Sequence, residues 1–148
     1  MLVYRIALAK YATLTASGVE GRWNSQGIKV IYTASSRALA CLENVVHRSG
    51  EGLNDLFKTM VIDIPGTERI EKISLRELPA NWQHFSLEHI CRQIGDDWFY
   101  RQESLILQVP SSIIPEESNY IINTQHKNFR KIKVKSIESF QFDSRIKL

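Results

Sequence analysis

Apolar residues recur along this chain at two spacings, and the changes of spacing mark its elements. The N-terminal run LVYRIAL, residues 2–8, reads as a strand. The polar stretch after it, punctuated by Gly18 and Gly21, reads as a connection. IKVIYTA then predicts a second strand, with Ile28, Val30 and Tyr32 on one face. Ser35 or Ser36 can cap a helix in which Leu39, Leu42, Val45 and Val46 recur at helical spacing, and Gly50 supplies the stop. At about 100° per residue, Glu43 falls about 100° from the centre of that apolar stripe, a border position.

TMVIDIP predicts a third strand, closed by Pro65 and Gly66. SLEHICRQIG predicts a second helix that starts at Ser86 and stops at Gly95. Beyond DDWFY come a strand, ESLILQV, a proline-bounded loop, PSSIIPEESN, and a short apolar run, YII. In the final stretch, KIKVKSIESFQF, Ile132 and Val134 alternate with Lys131, Lys133 and Lys135, the pattern of a half-exposed strand with a basic outer face. The whole predicts one α+β domain over residues 1–148, with mixed sheets, a few helices, and strands dominating the C-terminal half.

Composition narrows the function classes. The chain has 148 residues, 43% of them hydrophobic, enough for one substantial core. A net charge of +3 suits an anionic small molecule but is far from a nucleic-acid-binding signature. The lysines of RKIKVK are explained equally well as an exposed basic edge. Cys41 and Cys91 fall among apolar neighbours in predicted helices, which argues for buried thiols in a reducing cytoplasm and against a disulfide or metal site. The N-terminus lacks a signal peptide pattern, and no run approaches the roughly 20 apolar residues of a membrane span.

No P-loop, dinucleotide-binding glycine fingerprint, zinc-ligand spacing or nucleophile elbow is present. What remains is a set of polar residues that core building does not require. Arg22, in a turn between Gly21 and Trp23, could clamp a phosphate bidentately, or pair with a surface carboxylate or stack on Trp23. Tyr32 could stack on a planar heterocycle or pack in the core with a satisfied hydroxyl. Glu43 could be a partly desolvated carboxylate facing a sugar or a developing cation, or a solvated helix residue. His47, four residues on, predicts a local contact with Glu43. Ser111, directly after Pro110, could organise a site or complete a turn.

The segments YRIA, GRWNSQGIKVIYTASSRALACLENVVH, LPANW, IGDDWFY and VPSSIIPEESNYIIN, in this order, resemble the RES-domain family, from about Tyr4 to about His126. That family is named for an arginine, a glutamate and a serine, and comprises toxins of bacterial toxin–antitoxin pairs with Xre-type helix-turn-helix antitoxins. The resemblance implies a fold similar to ADP-ribosyltransferase toxins and a cytoplasmic chemistry that consumes NAD. Members hydrolyse NAD or transfer ADP-ribose to a cellular protein. Carried over by motif, the family's residues fall on Arg22, Tyr32, Glu43 and Ser111, with Ser112 a neighbouring alternative and Arg5 of YRIA a second residue for holding NAD. A homodimer within the antitoxin complex fits the same pattern.

Two positions depart from the family pattern: Ser25 and Thr124 stand where proline is frequent, which bears on loop shape and leaves the named residues intact. The implied chemistry suits a single carboxylate and requires no metal. Cleaving the nicotinamide–ribose bond develops positive charge on the sugar, and nicotinamide leaves neutral without an acid. Glu43 would stabilise that transition state, Arg22 would hold the pyrophosphate, Tyr32 would stack near the nicotinamide, and Ser111 would orient Glu43 or the ribose. The alternatives are a protein-directed ADP-ribosyltransferase and a catalytically silent module that acts only with its partner.

Overall fold

A computed structural model describes residues 1–47 and 56–146. Among these described residues are seven strands and two α-helices: β1 (Leu2–Leu8), β2 (Val30–Ala34), α1 (Arg37–His47), β3 (Phe57–Asp63), β4 (Ile70–Lys72), α2 (Glu88–Arg101), β5 (Ile106–Pro110), β6 (Ser118–Asn123) and β7 (Lys133–Phe140). The strands lie in one sheet, in the order β4-β5-β6-β2-β1-β3-β7. Among the described strands only β4 and β5 run parallel. This is the expected α+β architecture with a mixed sheet.

The join between β1 and β2 positions the site. Every other neighbouring pair is matched over at least three positions, but β1 meets β2 only at Tyr4 and Ala34. The sheet is therefore two half-sheets hinged at one residue pair, and they fold face to face. Val3, Met60 and Ile62 of one half form a buried cluster with Ile31, Ile106 and Ile122 of the other. On the far face of the β2–β6–β5 half, α2 packs through Cys91, Trp98 and Phe99 onto Val30, Leu107 and Ile121. On the far face of the β1–β3 half, α1 packs through Leu39 and Ala40 onto Ile6 and Phe57. Strands buried on both faces read as continuous apolar runs, as MVI and LIL do.

Several sequence expectations shift. The second helix does not stop at Gly95; it continues to Arg101 and absorbs DDWFY, because Gly95 meets a neighbouring backbone segment and does not break the helix. Its first turn begins at Glu88, and Ser86 lies in a preceding 3-10 turn whose N-cap is His84. The hydroxyl of Ser36 accepts the N–H of Leu39, so Ser36 caps α1. Val46, expected on the apolar stripe of α1, is exposed in the last turn. Gly50 lies outside the described residues. The YII run is the middle of the six-residue β6, and β4 was not foreseen. β7 is an edge strand paired only with β3, its alternate positions exposed and its lysines outward, as the alternation predicts. Cys41 and Cys91 both lie in helices and form no disulfide. Among the described residues no helix is long and apolar enough to cross a membrane, and no cluster of three or more His, Cys, Asp or Glu is placed to hold a metal ion.

Candidate active site

Where the half-sheets splay apart, β1 and β2 leave a cavity of about 540 Å³, walled on one side by α1 and on the other by the segment before β2. That volume is ordinary for a small-molecule site. Arg5, Arg22, Tyr32, Glu43 and Ser112 all line it. Residues scattered from position 5 to position 112 are thus brought to one surface by the fold.

Glu43 projects from the border of α1, with a fifth of its side chain exposed. Its two oxygens have different partners. Oε1 accepts the Ser111 hydroxyl at 2.9 Å, and Oε2 lies 3.3 Å from Nε2 of His47, the contact that i,i+4 spacing predicts. That contact raises the His47 pKa above its ordinary 6.5.

Ser111 is completely buried. Its oxygen accepts the N–H groups of Ile113 and Ile114 at 3.1 and 3.2 Å, while its single proton goes to Glu43. The hydroxyl thus couples two oriented backbone dipoles to the carboxylate and has no proton left for a ligand. Of the two placements expected for Ser111, against Glu43 or against the ribose, the geometry has the first: Ser111 stands behind Glu43, and Ser112 reaches the cavity surface.

Arg22 and Arg5 are held differently. The Arg22 guanidinium donates to the carbonyls of Trp82 and Gln83 at 3.3 and 3.0 Å and pairs with Glu88 at 3.3 Å. It lies over the ring of Trp82, not Trp23. These contacts do not exhaust its five N–H donors. Arg5 faces the space between the half-sheets, where Nη1 donates to the carbonyls of Tyr11 and Thr13 at 3.1 and 3.3 Å. Among the described residues no carboxylate is within ion-pair distance of Arg5, and burial lowers its pKa. A desolvated cation without a counter-charge is the stronger anion attractor of the two.

Tyr32 lines the cavity with its ring, but its hydroxyl is occupied. It accepts the Trp23 N–H at 3.0 Å and donates to Oδ1 of Asn24 at 2.6 Å. Burial pushes its phenol well above the ordinary pKa of 10. The nearly inaccessible Asn24 in turn donates to the carbonyls of Val19 and Ile28, so Tyr32 ties the Arg22 turn to β2. The two departures from the proline pattern also have visible partners. Ser25 gives its N–H and its hydroxyl to the carboxylate of Asp96, and Thr124 gives its hydroxyl and its N–H to the Lys29 carbonyl. Three further residues were not singled out from the chain: Trp82 and Asp96, which fall in the motif segments LPANW and IGDDWFY, and Glu88, which falls in neither.

The RES domain family matches residues 2–143. A protein called Toxin Res from Yersinia enterocolitica is 36% identical over 154 residues, covering 99% of this chain and 100% of that protein. Another Toxin Res, from Photorhabdus laumondii, is 35% identical and covers 99% and 97%. A Prs ADP-ribosylating toxin from a Sphingobium species is 36% identical over 128 residues, covering 85% of this chain and 80% of that protein. The fold is similar to a chain of the M. tuberculosis MbcT–MbcA toxin–antitoxin complex, with a TM-score of 0.77 and 15% identity over 95% of this chain and 84% of that one.

Proposed function

The chain belongs to the RES-domain family, and on that premise we propose that it is the toxin of a bacterial toxin–antitoxin pair and cleaves NAD at the nicotinamide–ribose bond. The observation that carries this reading is the Ser111–Glu43 hydrogen bond at the wall of a cavity that also presents two arginines. A carboxylate fixed by a neutral donor has its geometry set before substrate arrives, the requirement for stabilising a cationic transition state more than the ground state.

In this scheme Glu43 faces the ribose and the oxocarbenium-like charge that grows on it as neutral nicotinamide departs. Water adds to the sugar and loses its proton to give ADP-ribose. Arg5, uncompensated among the described residues, supplies the attraction for the pyrophosphate, and Arg22, already partnered by Glu88, supplies directional N–H groups. The Tyr32 ring forms the wall beside the leaving group. The partner is an Xre-type antitoxin covering the Arg22–Glu43 face, in line with the complexed state of the M. tuberculosis neighbour.

Incubated with NAD, the purified protein should release nicotinamide, and Glu43→Ala should abolish that release while leaving the protein folded. Intact NAD after long incubation with folded wild-type protein would refute the reading. The name of the Sphingobium relative favours a second acceptor. If ADP-ribose is transferred, label from adenylate-tagged NAD will appear on a protein in place of free ADP-ribose.

A further inference from the structure

The IGDDWFY segment takes no part in the chemistry above, yet it holds the residues that do. On α2, Glu88, Arg92, Gly95 and Asp96 follow i, i+4, i+7, i+8 spacing and so share one helical face. That face meets the turn bearing Arg22 at three points. Glu88 pairs with the Arg22 guanidinium. Gly95, lacking a side chain, lets the Trp23 carbonyl rest against the helix backbone. Asp96 takes both polar groups of Ser25, the N–H on Oδ1 at 2.9 Å and the hydroxyl on Oδ2.

We propose that Asp96 is a positioning residue for Arg22. The Gly21–Ser25 turn is held from the β2 side by Tyr32, which engages Trp23 and Asn24. On that side the Ser25 carbonyl also accepts the Ile28 N–H, at 3.1 Å, which leaves the turn's other flank, towards α2, to be held. The bidentate hold on Ser25, charge-assisted at both oxygens, closes it from the α2 side. Ser25 stands where the family pattern has a proline, whose ring would restrain the backbone covalently and would have no N–H to give. In this chain both polar groups of Ser25 go to a carboxylate on another element, 71 residues away. A guanidinium that binds a phosphate by two parallel N–H groups requires its carrier to be fixed, and misplacement by about 1 Å can cost on the order of a hundredfold in rate.

The proposal rests on Arg22 being part of an NAD site, and a double-mutant cycle with a separate structural readout distinguishes the two. Asp96→Ala should raise the KM for NAD about tenfold with kcat changed less than about twofold, because the Glu43 chemistry is untouched. Asp96→Asn, which can still accept the Ser25 N–H and hydrogen-bond its hydroxyl, should restore KM to within about twofold. Asp97→Ala, at the exposed neighbour, should change neither parameter. In an Arg22→Ala background, Asp96→Ala should add no further increase in KM, the coupling expected when one residue acts through the other. Independent, multiplicative effects, or an equal effect at Asp97, would overturn the assignment.

Amide exchange of residues 21–25 supplies the arm that needs no substrate. It should accelerate in Asp96→Ala by more than the amides of β3 and β6, which report the global loss of stability, and unaltered exchange overturns the proposal even if NAD is cleaved. If wild-type protein leaves NAD intact, the functional reading fails and the exchange data alone decide the positioning role. Should Asp96→Ala not fold, Ser25→Ala removes only the hydroxyl half of the contact and should give the same shift in KM at smaller size, with no shift counting against it.

Discussion

Replacing Gly95 by alanine should destabilise this protein, reversing the usual sign of that substitution inside a helix. In an exposed helix interior, alanine is better than glycine by about 1 kcal/mol. At position 95 the new methyl would stand 2.7 Å from the carbonyl carbon of Trp23 and 3.1 Å from its Cα, and would overlap the carbonyl oxygen outright. Carbon atoms rest about 3.5–4.0 Å apart, so the turn or the helix must retreat by about 1 Å. The obstacle is backbone, held by Tyr32, Asn24 and the Ser25–Asp96 contact, and cannot swing aside as a flexible side chain would. Overpacking of this severity costs about 3 kcal/mol, which leaves a net loss of about 2 kcal/mol after the gain in propensity. For a chain of this length that lowers the melting temperature by about 4–8 °C. Thermal and urea unfolding followed by circular dichroism measure it, with Gly66→Ala, where an added Cβ meets nothing within 4 Å, as a control expected within about 0.5 kcal/mol of wild type. NAD cleavage at 25 °C should fall on the order of ten- to a hundredfold in the folded Gly95→Ala protein, because Arg22 moves with the turn. A variant that melts at or above the wild-type temperature would refute the contact and the role given to α2.

Ser111→Ala removes a charge-assisted hydrogen bond to Glu43 and takes the acceptor from the part-buried N–H groups of Ile113 and Ile114, so urea unfolding should show a loss of about 2 kcal/mol. Its kcat for NAD should fall while KM changes little, since the carboxylate loses its orientation and the arginines keep theirs. The His47 ring should titrate above 6.5 by NMR in the wild-type protein and move back down in Glu43→Gln. Because the folded-state value is raised, the Glu43–His47 contact adds stability that is complete below pH 6.5 and disappears as pH climbs through the raised value. A His47 midpoint indifferent to Glu43→Gln would contradict the assigned cause.

The site was partly legible in the chain. The border position of Glu43, the cap at Ser36 and the reach of His47 to Glu43 all follow from helical periodicity, a local property. Arg22 and Tyr32 could be singled out as polar groups that no core demanded, but their partners could not. The Arg22 contacts with Trp82, Gln83 and Glu88 cross about 60 residues of chain, and no spacing rule reaches that far. Gly95 shows the limit from the other side. By local rules a glycine after an apolar helical run ends the helix; here the approach of a second backbone segment outweighs about 1 kcal/mol of propensity, and the helix continues.

The sequence by itself determined most of the strands, the two helices and their main apolar faces, because burial periodicity is written into neighbouring residues; the short β4, the end of α2 and the exposure of Val46 lay beyond it. Only the tertiary structure decided that β1 and β2 touch at a single pair and open a cavity beyond it, that Ser111 lies behind Glu43 and not on the cavity surface, and that α2 grips the Arg22 turn. An apolar face dictates that something must cover it, without naming the cover. The Ser111–Glu43 bond joins residues 68 apart and depends on the register of β2 with β6 and of β6 with β5, which no local pattern encodes.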